Sequence, residues 1–471
     1  MAEIKIHYSK QKAMNQNPYT PFSRSLREEC GIFGIYNHPD AASITYLGLY
    51  ALQHRGEESA GIAVSDGKRV IGHKGMGLAP EVFDPDILQK LSGHLAVGHI
   101  RYSTTGSSEL KNAQPFLVEY SQGPVAIAHN GNLVNTRELR SSLEQRGSIF
   151  QSTMDSEVIV HLLACSQKQA IEDRLIEALG QVTGAYSLIF LLKDKLIGVR
   201  DPRGFRPLCL GVLDGSYVLA SETCALDIIQ AHYIRDIEPG EIIIIDESGI
   251  RSLYPFPKQK HAFCIFEFIY FSRPDSMIFS KGVYAARKEL GRQLAYESPA
   301  DADIVIPMPD SGNCAGLGFS EASGMPFEMG IIRNHYVGRT FIQPVQSFRD
   351  LRVKIKLNPV REVIEGKRIV LVEDSIVRGT TSRIRIKNFK EAGAREIHMR
   401  VSCPPHRYPC LYGIDFPTRE ELVASSHTEE EIRQFLGLET LGYLSIEGML
   451  KAMPLPGEEF CLACFTGNYP T

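Results

Sequence analysis

Short apolar stretches separated by polar turns run through residues 30–260. Alternating or fully apolar positions predict strands over residues 30–36, 60–65, 70–73, 94–100, 125–129, 186–192, 195–200, 207–212, 217–221 and 241–245. Apolar residues at helical spacing predict helices over residues 41–53, 136–144 and 155–166. Tight polar turns, such as the Asp214 and Gly215 pair, give the strands hairpin-like spacing. This part of the chain is therefore expected to be an α+β domain, with layered antiparallel sheets and helices outside.

Strands and helices alternate in the rest of the chain. A helix at 282–297 precedes a strand at 303–307, a helix at 312–323 and a strand at 328–333, and a second run has a strand at 368–373, a helix at 380–392 and a strand at 396–400. This alternation predicts an α/β domain with a doubly wound parallel sheet. Residues 418–452 are expected to be helical and to lead into a cysteine-bearing tail. With 471 residues in total, we predict a polar segment at 1–29, one domain at 30–260 and another at 261–471.

Charge and composition exclude several classes of protein. Lysine and arginine total 51 against 55 aspartates and glutamates, so no global basic field is present to hold a nucleic acid. The apolar runs end long before the roughly 20 residues that a membrane span requires. Residues 1–29 lack an apolar core and carry Glu3, Glu28 and Glu29, which fits neither a secretory signal nor a transit peptide. A cytoplasmic location is therefore expected, and the ten cysteines call for metal, catalytic or core roles.

An acidic, hydroxyl-rich loop follows the apolar strand that ends near residue 372. Its chemistry-bearing residues are Glu373, Asp374, Ser375, Arg378, Gly379, Thr380, Thr381 and Ser382. Hydroxyl groups and the N–H groups at a helix N-terminus can surround a phosphate dianion. The two acids would repel that phosphate, so they suit sugar hydroxyls or a Mg²⁺ ion instead. The pattern indicates a phosphorylated-sugar site, and a capped helix after a buried strand is the alternative.

The string from Ile369 to Ser382 resembles the phosphoribosyl pyrophosphate (PRPP) signature of type I phosphoribosyltransferases. Residues 304–312 resemble the pyrophosphate loop of the same family, which implies that the leaving group faces Asp310, Ser311 and Gly312. The resemblance also implies a lid over PRPP with contacts from Tyr336, Arg339 and Thr340. A plain strand-to-helix turn and a solvated basic loop are the respective alternatives. The implied Mg²⁺ ligands are Ser311, Glu373 and Asp374, although many relatives carry two aspartates at the last two positions.

Cys30 opens an apolar strand, where a lone cysteine is usually a core residue. Four motifs follow it in order: Gln53-His-Arg-Gly, Gly98-His-Ile-Arg-Tyr-Ser, His129-Asn-Gly-Asn and Met154-Asp-Ser-Glu. This ordered set resembles the glutaminase domain of class II, N-terminal-nucleophile amidotransferases.

The resemblance assigns a role to each of these motifs. It implies that residues 1–29 are a propeptide cleaved after Glu29, so that the α-amino group of Cys30 becomes free. An α-amine has an ordinary pKa of about 8 and is able to accept the thiol proton. Asn130 and Gly131 would then form the oxyanion hole. Arg101 would hold the α-carboxylate of glutamine and Asp155 its α-ammonium group, whereas a surface ion pair and a helix cap are the alternatives.

Cys461 and Cys464 form a CxxC motif near the C-terminus, compatible with zinc, a redox dithiol or an iron–sulfur cluster. Resemblance to one subclass of PRPP amidotransferases implies Cys264 and Cys410 as two further ligands of a [4Fe–4S] cluster. Zinc remains the alternative, because four thiolates suit it equally well. The other cysteines are expected in the core: Cys165, Cys209, Cys224, Cys314 and Cys403.

The order of these features from Cys30 onward resembles the glutamine PRPP amidotransferase family, in its iron–sulfur-containing, propeptide-processed subclass. That resemblance implies production of 5-phosphoribosylamine for purine synthesis, ammonia transfer between the sites, feedback by purine nucleotides and a homotetramer. The aromatic residues of 266–271 are candidates for the lining of the ammonia route, and a hydrophobic domain interface is the equal alternative. A synthetase using ATP is disfavoured, because the chain lacks GxxxxGK[ST] and GxGxxG motifs. A redox-sensing relative without catalysis conflicts with the presence of Cys30, Arg101 and Asn130.

Overall fold

The structure is a computed structural model that describes residues 30–102, 109–334, 357–414 and 418–471. The predicted propeptide and the predicted lid residues Tyr336, Arg339 and Thr340 lie outside these ranges. Within them, no helix is both long enough and apolar enough to cross a membrane.

Two stacked antiparallel sheets form the N-terminal region. Among the described residues, the first sheet has seven strands in the spatial order His232–Asp236, Cys209–Leu213, Ser216–Ala220, Gly31–Tyr36, Leu95–Arg101, Ser59–Ser65 and Val70–Met76. The second has six described strands in the order Gly249–Leu253, Ile242–Asp246, Leu196–Arg200, Gly184–Leu191, Gly123–Leu133 and Phe116–Tyr120. Every strand pair in both sheets is antiparallel, which confirms the predicted layered class.

Helices cover the outer faces of both sheets. The described helices are Ala41–Ala51, Gln53–Arg55, Ala79–Val82, Pro85–Lys90, Leu110–Asn112, Thr136–Gln145, Ser156–Cys165, Ile171–Leu179 and Cys224–Ile228. Residues such as Ile32, Ile189 and Leu219 fill the space between the sheets. Because both faces of each sheet are covered, central strands such as Ser59–Ser65 and Gly184–Leu191 are buried along their whole length.

A parallel sheet forms the centre of the C-terminal region, as predicted. Its four described strands lie in the order Ile304–Pro307, Arg368–Glu373, Glu396–Val401 and Thr440–Tyr443. The main helices around it are Val283–Glu297, Asn313–Ser323, Thr380–Glu391 and Glu429–Leu436. Shorter helical elements are Glu267–Phe271, which is a π-helix, and Arg361–Ile364, Arg419–Glu421, Val423–Ser426, Ile446–Ala452, Gly457–Glu459 and Ala463–Thr466.

Two expectations for this region were wrong in detail. The segment 418–452 is not wholly helical, because Thr440–Tyr443 is the fourth strand of the parallel sheet. The predicted strand at 328–333 shortens to Ile331–Arg333 and pairs with Leu357–Pro359, outside the main sheet. Both elements have only three or four residues, so neither shows a period that local pattern analysis detects.

The ends of the C-terminal region meet. Phe263–Cys264 pairs in parallel with Phe460–Cys461, and Cys264 lies opposite Cys461. A further hairpin joins Met277–Ile278 to Lys281–Gly282. Phe205, from the N-terminal region, packs with Ala262, Tyr412 and Ala463 in a small buried cluster. The two regions therefore share packed contacts around the C-terminal tail.

Candidate active sites

Cys30 immediately precedes the strand Gly31–Tyr36 and is buried. Its thiol lies 3.6 Å from the carbonyl oxygen of Tyr102, to which it donates. Its own carbonyl oxygen accepts a hydrogen bond of 3.1 Å from Nε of Arg55. Because Gly31 pairs with Ile100, Cys30 lies beside Arg101 at the end of the neighbouring strand.

Arg55 belongs to a fully buried charge network beneath Cys30. It donates to Glu267 at 3.0 and 2.7 Å, and it also donates to Glu222. Burial by itself would raise the pKa of Glu222, but His54 and Arg55 outweigh that effect and hold the pKa well below its ordinary value. Glu222 is therefore a carboxylate at neutral pH. The network joins the N-terminal region to the π-helix that carries Glu267.

Asn130 and Gly131 lie near the end of the long strand Gly123–Leu133. Gly131 has φ +145°, and a Cβ there would lie 2.1 Å from the carbonyl oxygen of Ala185, so no larger residue fits. Nδ2 of Asn130 is buried and has no hydrogen-bond partner among the described residues. A buried donor without a partner is rare and is a candidate for a ligand contact. This geometry suits an oxyanion hole.

Of the two predicted glutamine-binding residues, Arg101 ends a strand that contacts the strand of the predicted oxyanion hole, whereas Asp155 is the N-cap of the helix Ser156–Cys165. Nε2 of His99 lies 3.0 Å from the carbonyl oxygen of His129, which brings the strand ending at Arg101 against the strand carrying the predicted oxyanion hole. Arg101 is buried and lies 3.7 Å from Glu58.

Asp155 accepts hydrogen bonds from the backbone N–H groups of Ser156 and Leu133 at 2.8 and 2.9 Å. Burial alone would raise its pKa, but His129 and these N–H groups lower it below the ordinary value. Asp155 is thus the N-cap of the helix, as the alternative interpretation predicts, and its carboxylate is negatively charged at neutral pH. His129 lies 3.5 Å from this carboxylate.

The predicted PRPP loops meet at one edge of the parallel sheet. The strands Ile304–Pro307 and Arg368–Glu373 are neighbours, so the loops that follow them lie side by side. Oγ of Ser311 donates to Asp374 at 2.5 Å, and Oγ of Ser375 donates to the same carboxylate at 2.7 Å. Gly379, with φ +72°, precedes the helix Thr380–Glu391, whose N-terminal turn contains Thr380, Thr381 and Ser382.

Other predicted PRPP residues engage protein partners. Glu373 is buried and lies 3.1 Å from Arg385. Burial raises the pKa of Glu373 to about 8, against the opposing effect of Arg385. Arg378 donates to Glu421, and Asp310 pairs with Arg333. A Cβ on Gly312 would lie 2.5 Å from the carbonyl oxygen of Val372, so the loop packs tightly against the neighbouring strand.

A Mg²⁺ ion would find two adjacent oxygen donors here. Ser311 and Asp374 are already in contact, and Asp374 is a carboxylate of the kind that Mg²⁺ prefers. Glu373 accepts a hydrogen bond from Arg385, so Ser311 and Asp374 are the better placed of the three predicted ligands to bind the ion.

The four cysteines implied as cluster ligands converge. Cys264 and Cys461 are opposite each other on paired strands, and the sulfur of Cys410 accepts a hydrogen bond from the N–H of Tyr412. Burial raises the pKa of Cys464, and the nearby thiols of Cys461, Cys410 and Cys264 raise it further. Nowhere in the described ranges do three or more histidine, cysteine or acidic side chains surround a single metal position.

Sequence patterns missed part of the first site. The sequence patterns give no role to Glu222 or Glu267, although each is an acid next to or within an apolar segment. Arg206 was missed as well; it is fully buried and lies 3.5 Å from Glu267. An ionisable residue in an apolar run was the available signal, because such residues are buried only when paired.

Fold and geometry together define a glutamine amidotransferase joined to a phosphoribosyltransferase. A family model described as a glutamine amidotransferase domain matches residues 99–227. The chain is 48% identical to amidophosphoribosyltransferase 1, chloroplastic, of Arabidopsis thaliana over 99% of its length and 84% of that protein. It is 49% identical to the amidophosphoribosyltransferase of Bacillus subtilis, with 95% of each chain covered. The chain belongs to the amidophosphoribosyltransferase family.

Solved structures agree with this assignment. The B. subtilis glutamine PRPP amidotransferase complexed with ADP and GMP matches with a TM-score of 0.89 and 49% identity, over 94% of this chain and 97% of that one. A structure titled as the allosteric regulatory enzyme of purine biosynthesis matches with a TM-score of 0.90 and 49% identity, over 94% and 96%.

Proposed function

We propose that the chain converts glutamine, PRPP and water into 5-phosphoribosylamine, glutamate and pyrophosphate, the first step of purine nucleotide synthesis. The observation that carries this proposal is the presence of two sites in one chain: a cysteine thiol beside glutamine-binding candidates, and a phosphate loop at the edge of a parallel sheet. Identity of about 50% over nearly the whole chain supports both half-reactions.

Glutamine is hydrolysed at Cys30 after cleavage behind Glu29 frees its α-amino group. The amine takes the thiol proton, and the thiolate attacks the side-chain amide carbon of glutamine. Asn130 Nδ2, which has no other partner in the described part of the chain, and the Gly131 N–H stabilise the oxyanion. The amine returns that proton to the amide nitrogen, which leaves as ammonia, and water then releases glutamate from the γ-glutamyl thioester.

Two charged groups orient the glutamine for this attack. Arg101 pairs with the α-carboxylate through its guanidinium fork, and the lowered pKa of Asp155 keeps an anion available for the α-ammonium group. Arg55 fixes the Cys30 carbonyl and thereby the orientation of the nucleophile.

PRPP binds at the C-terminal region. The N-terminal turn of the helix Thr380–Glu391, with Ser375 and Gly379, holds the 5′-phosphate through N–H and hydroxyl groups. Asp374 holds ribose hydroxyls or Mg²⁺ together with Ser311. When bound, Mg²⁺ would neutralise charge on the pyrophosphate leaving group. Asp310 and Gly312 border the same group.

A [4Fe–4S] cluster held by Cys264, Cys410, Cys461 and Cys464 ties the C-terminal tail to the body of this region. Its proposed role is structural, because a link between residues distant in sequence restricts the unfolded chain. Exposure to oxygen would release the tail and inactivate the enzyme. We also propose a cytoplasmic homotetramer that purine nucleotides inhibit, and an ammonia route along Glu267–Phe271.

The separable half-reactions give the decisive experiment. Cys30→Ala should abolish formation of 5-phosphoribosylamine from glutamine and retain its formation from added ammonia. The predicted core position of Cys165 was wrong, because this cysteine is exposed. Cys165→Ala should therefore retain both activities. Glutamine-dependent synthesis by Cys30→Ala would remove Cys30 from the mechanism. Intact-mass measurement of native protein tests the propeptide, because the mature chain should begin at Cys30.

A further inference from the structure

Residues 411–413 of the C-terminal region lie directly against the predicted oxyanion hole. The carbonyl oxygen of Leu411 accepts a hydrogen bond of 2.8 Å from Nδ2 of Asn132. At Gly413, a Cβ would lie 2.9 Å from the carbonyl carbon of Gly131 and 3.0 Å from its Cα. Gly413 has φ +106°, which favours glycine. Backbone from the second region therefore touches the residue whose N–H faces the oxyanion.

Gly131 is confined on two sides. A Cβ there would lie 2.1 Å from the oxygen of Ala185, in its own sheet, and Gly413 occupies another side. The Gly131 N–H lies in the peptide plane that joins Asn130 to the Cα of Gly131, so its orientation depends on where that Cα is held. With Ala185 and Gly413 both in contact with Gly131, that Cα has little room to move.

Tyr412 anchors this segment in the N-terminal region. Its carbonyl oxygen accepts two hydrogen bonds from the fully buried Arg206, at 3.1 and 2.6 Å. Its ring stacks on Phe205 with centroids 4.2 Å apart, and its hydroxyl group bonds to Thr471. A charged donor and a stacked ring together hold residues 411–413 in place.

We propose that residues 411–413 are positioning residues for glutamine hydrolysis: they hold the Gly131 N–H in its catalytic orientation without touching substrate. This inference rests on the proposed function of Cys30, Asn130 and Gly131. Its consequence is that hydrolysis in the N-terminal region requires a correctly placed segment of the C-terminal region.

Gly413→Ala tests the contact, and Gly249→Ala is its matched control. Gly249 has the same φ of +106°, but a Cβ there meets no described residue within 4 Å, so the control shares the backbone strain without the contact. Removing one oxyanion donor lowers kcat by about 100- to 1000-fold. We expect Gly413→Ala to lower kcat for glutamine hydrolysis at least about 10-fold. The KM for glutamine and ammonia-dependent synthesis should stay near those of the wild type.

The rate at which iodoacetamide alkylates Cys30 shows whether a loss of hydrolysis comes from a displaced oxyanion hole or from a damaged nucleophile. This displacement forms no oxyanion, so Gly413→Ala should be alkylated at the wild-type rate, measured on the Cys30 peptide by mass spectrometry. Equal kcat values for Gly413→Ala and Gly249→Ala would overturn the inference. So would a matched loss of alkylation and hydrolysis.

A second pair of variants decides the matter if Gly413→Ala fails to fold. Tyr412→Ala removes the stacked ring without adding a clash and should also lower kcat selectively, whereas Tyr412→Phe keeps the ring and should restore it. Wild-type hydrolysis by both Tyr412 variants would contradict the inference. Wild-type protein that hydrolyses no glutamine would instead refute the proposed function.

Discussion

Glu267→Gln should weaken the attachment between the two regions measurably. The carboxylate of Glu267 accepts hydrogen bonds from Arg55 at 3.0 and 2.7 Å and from Ser272 at 2.7 Å, with every partner buried. The substitution keeps the shape of the side chain, removes its charge and turns one acceptor into a donor that faces Arg55.

The size of the effect follows from these contacts. A hydrogen bond to a charged group contributes about 1.5–3 kcal/mol, and Arg55 loses one of its two bonds to residue 267 outright, because an amide NH2 group cannot accept. Breaking a buried ion pair typically costs about 3–5 kcal/mol. Glu222 still compensates part of the charge on Arg55. We therefore expect a loss of about 3 kcal/mol in the free energy of unfolding.

Urea unfolding followed by fluorescence measures this loss, and Glu430→Gln is the control. Glu430 accepts two hydrogen bonds from Arg433, at 2.7 and 2.6 Å, but it is 59% exposed. Loss of an exposed pair costs about 1 kcal/mol or less. The midpoint of Glu267→Gln should fall clearly below that of Glu430→Gln. Coincident midpoints would refute the argument that burial gives the Arg55 network its strength.

Three further outcomes are expected. Burial lowers the pKa of His99 to about 3, so below about pH 6.5 the unfolded chain binds a proton that the folded chain does not, and stability falls as pH drops. In unfolding measurements, His99→Gln should reduce this fall by up to about 1.4 kcal/mol per pH unit. An unchanged dependence of stability on pH would contradict this expectation. Asp374→Asn should weaken PRPP binding at least about 10-fold by calorimetry while glutamine hydrolysis survives, because charged contacts are lost only in the PRPP site. Anaerobically purified protein should contain about four irons per chain, which Cys464→Ser should lose and Cys165→Ser should keep; one zinc in a colourless, active enzyme would refute the cluster.

The fold class and most long elements were predictable from the sequence. Strands such as Arg368–Glu373 and helices such as Thr136–Gln145 have a clear local period, and their observed ends lie within two residues of the predicted ones. Their burial follows from side chains a few positions apart, which is the information that periodicity carries. The two-residue strand Phe263–Cys264 has no period, and its partner lies at the other end of the region.

The candidate sites were predictable only where a motif is continuous in sequence. Asp374 and Ser375 follow one strand, whereas the partners of Arg55 lie 167 and 212 positions away. Contacts at that separation depend on how the sheets pack, and the local sequence pattern carries no information about that packing. The approach of Gly413 to Gly131 is likewise a result of packing, as is the lack of a partner for Asn130 Nδ2 among the described residues.

The pairing of Phe263–Cys264 with Phe460–Cys461 also affects how the chain is made. At about 5–20 residues per second, a ribosome needs roughly 10–40 s to reach the second strand after it has made the first. During that interval the aromatic segment that follows residue 263 has no cover from the C-terminal tail. Nascent chains are therefore most exposed to aggregation and to proteolysis late in synthesis. Lower growth temperatures or added chaperones should raise the yield of folded protein.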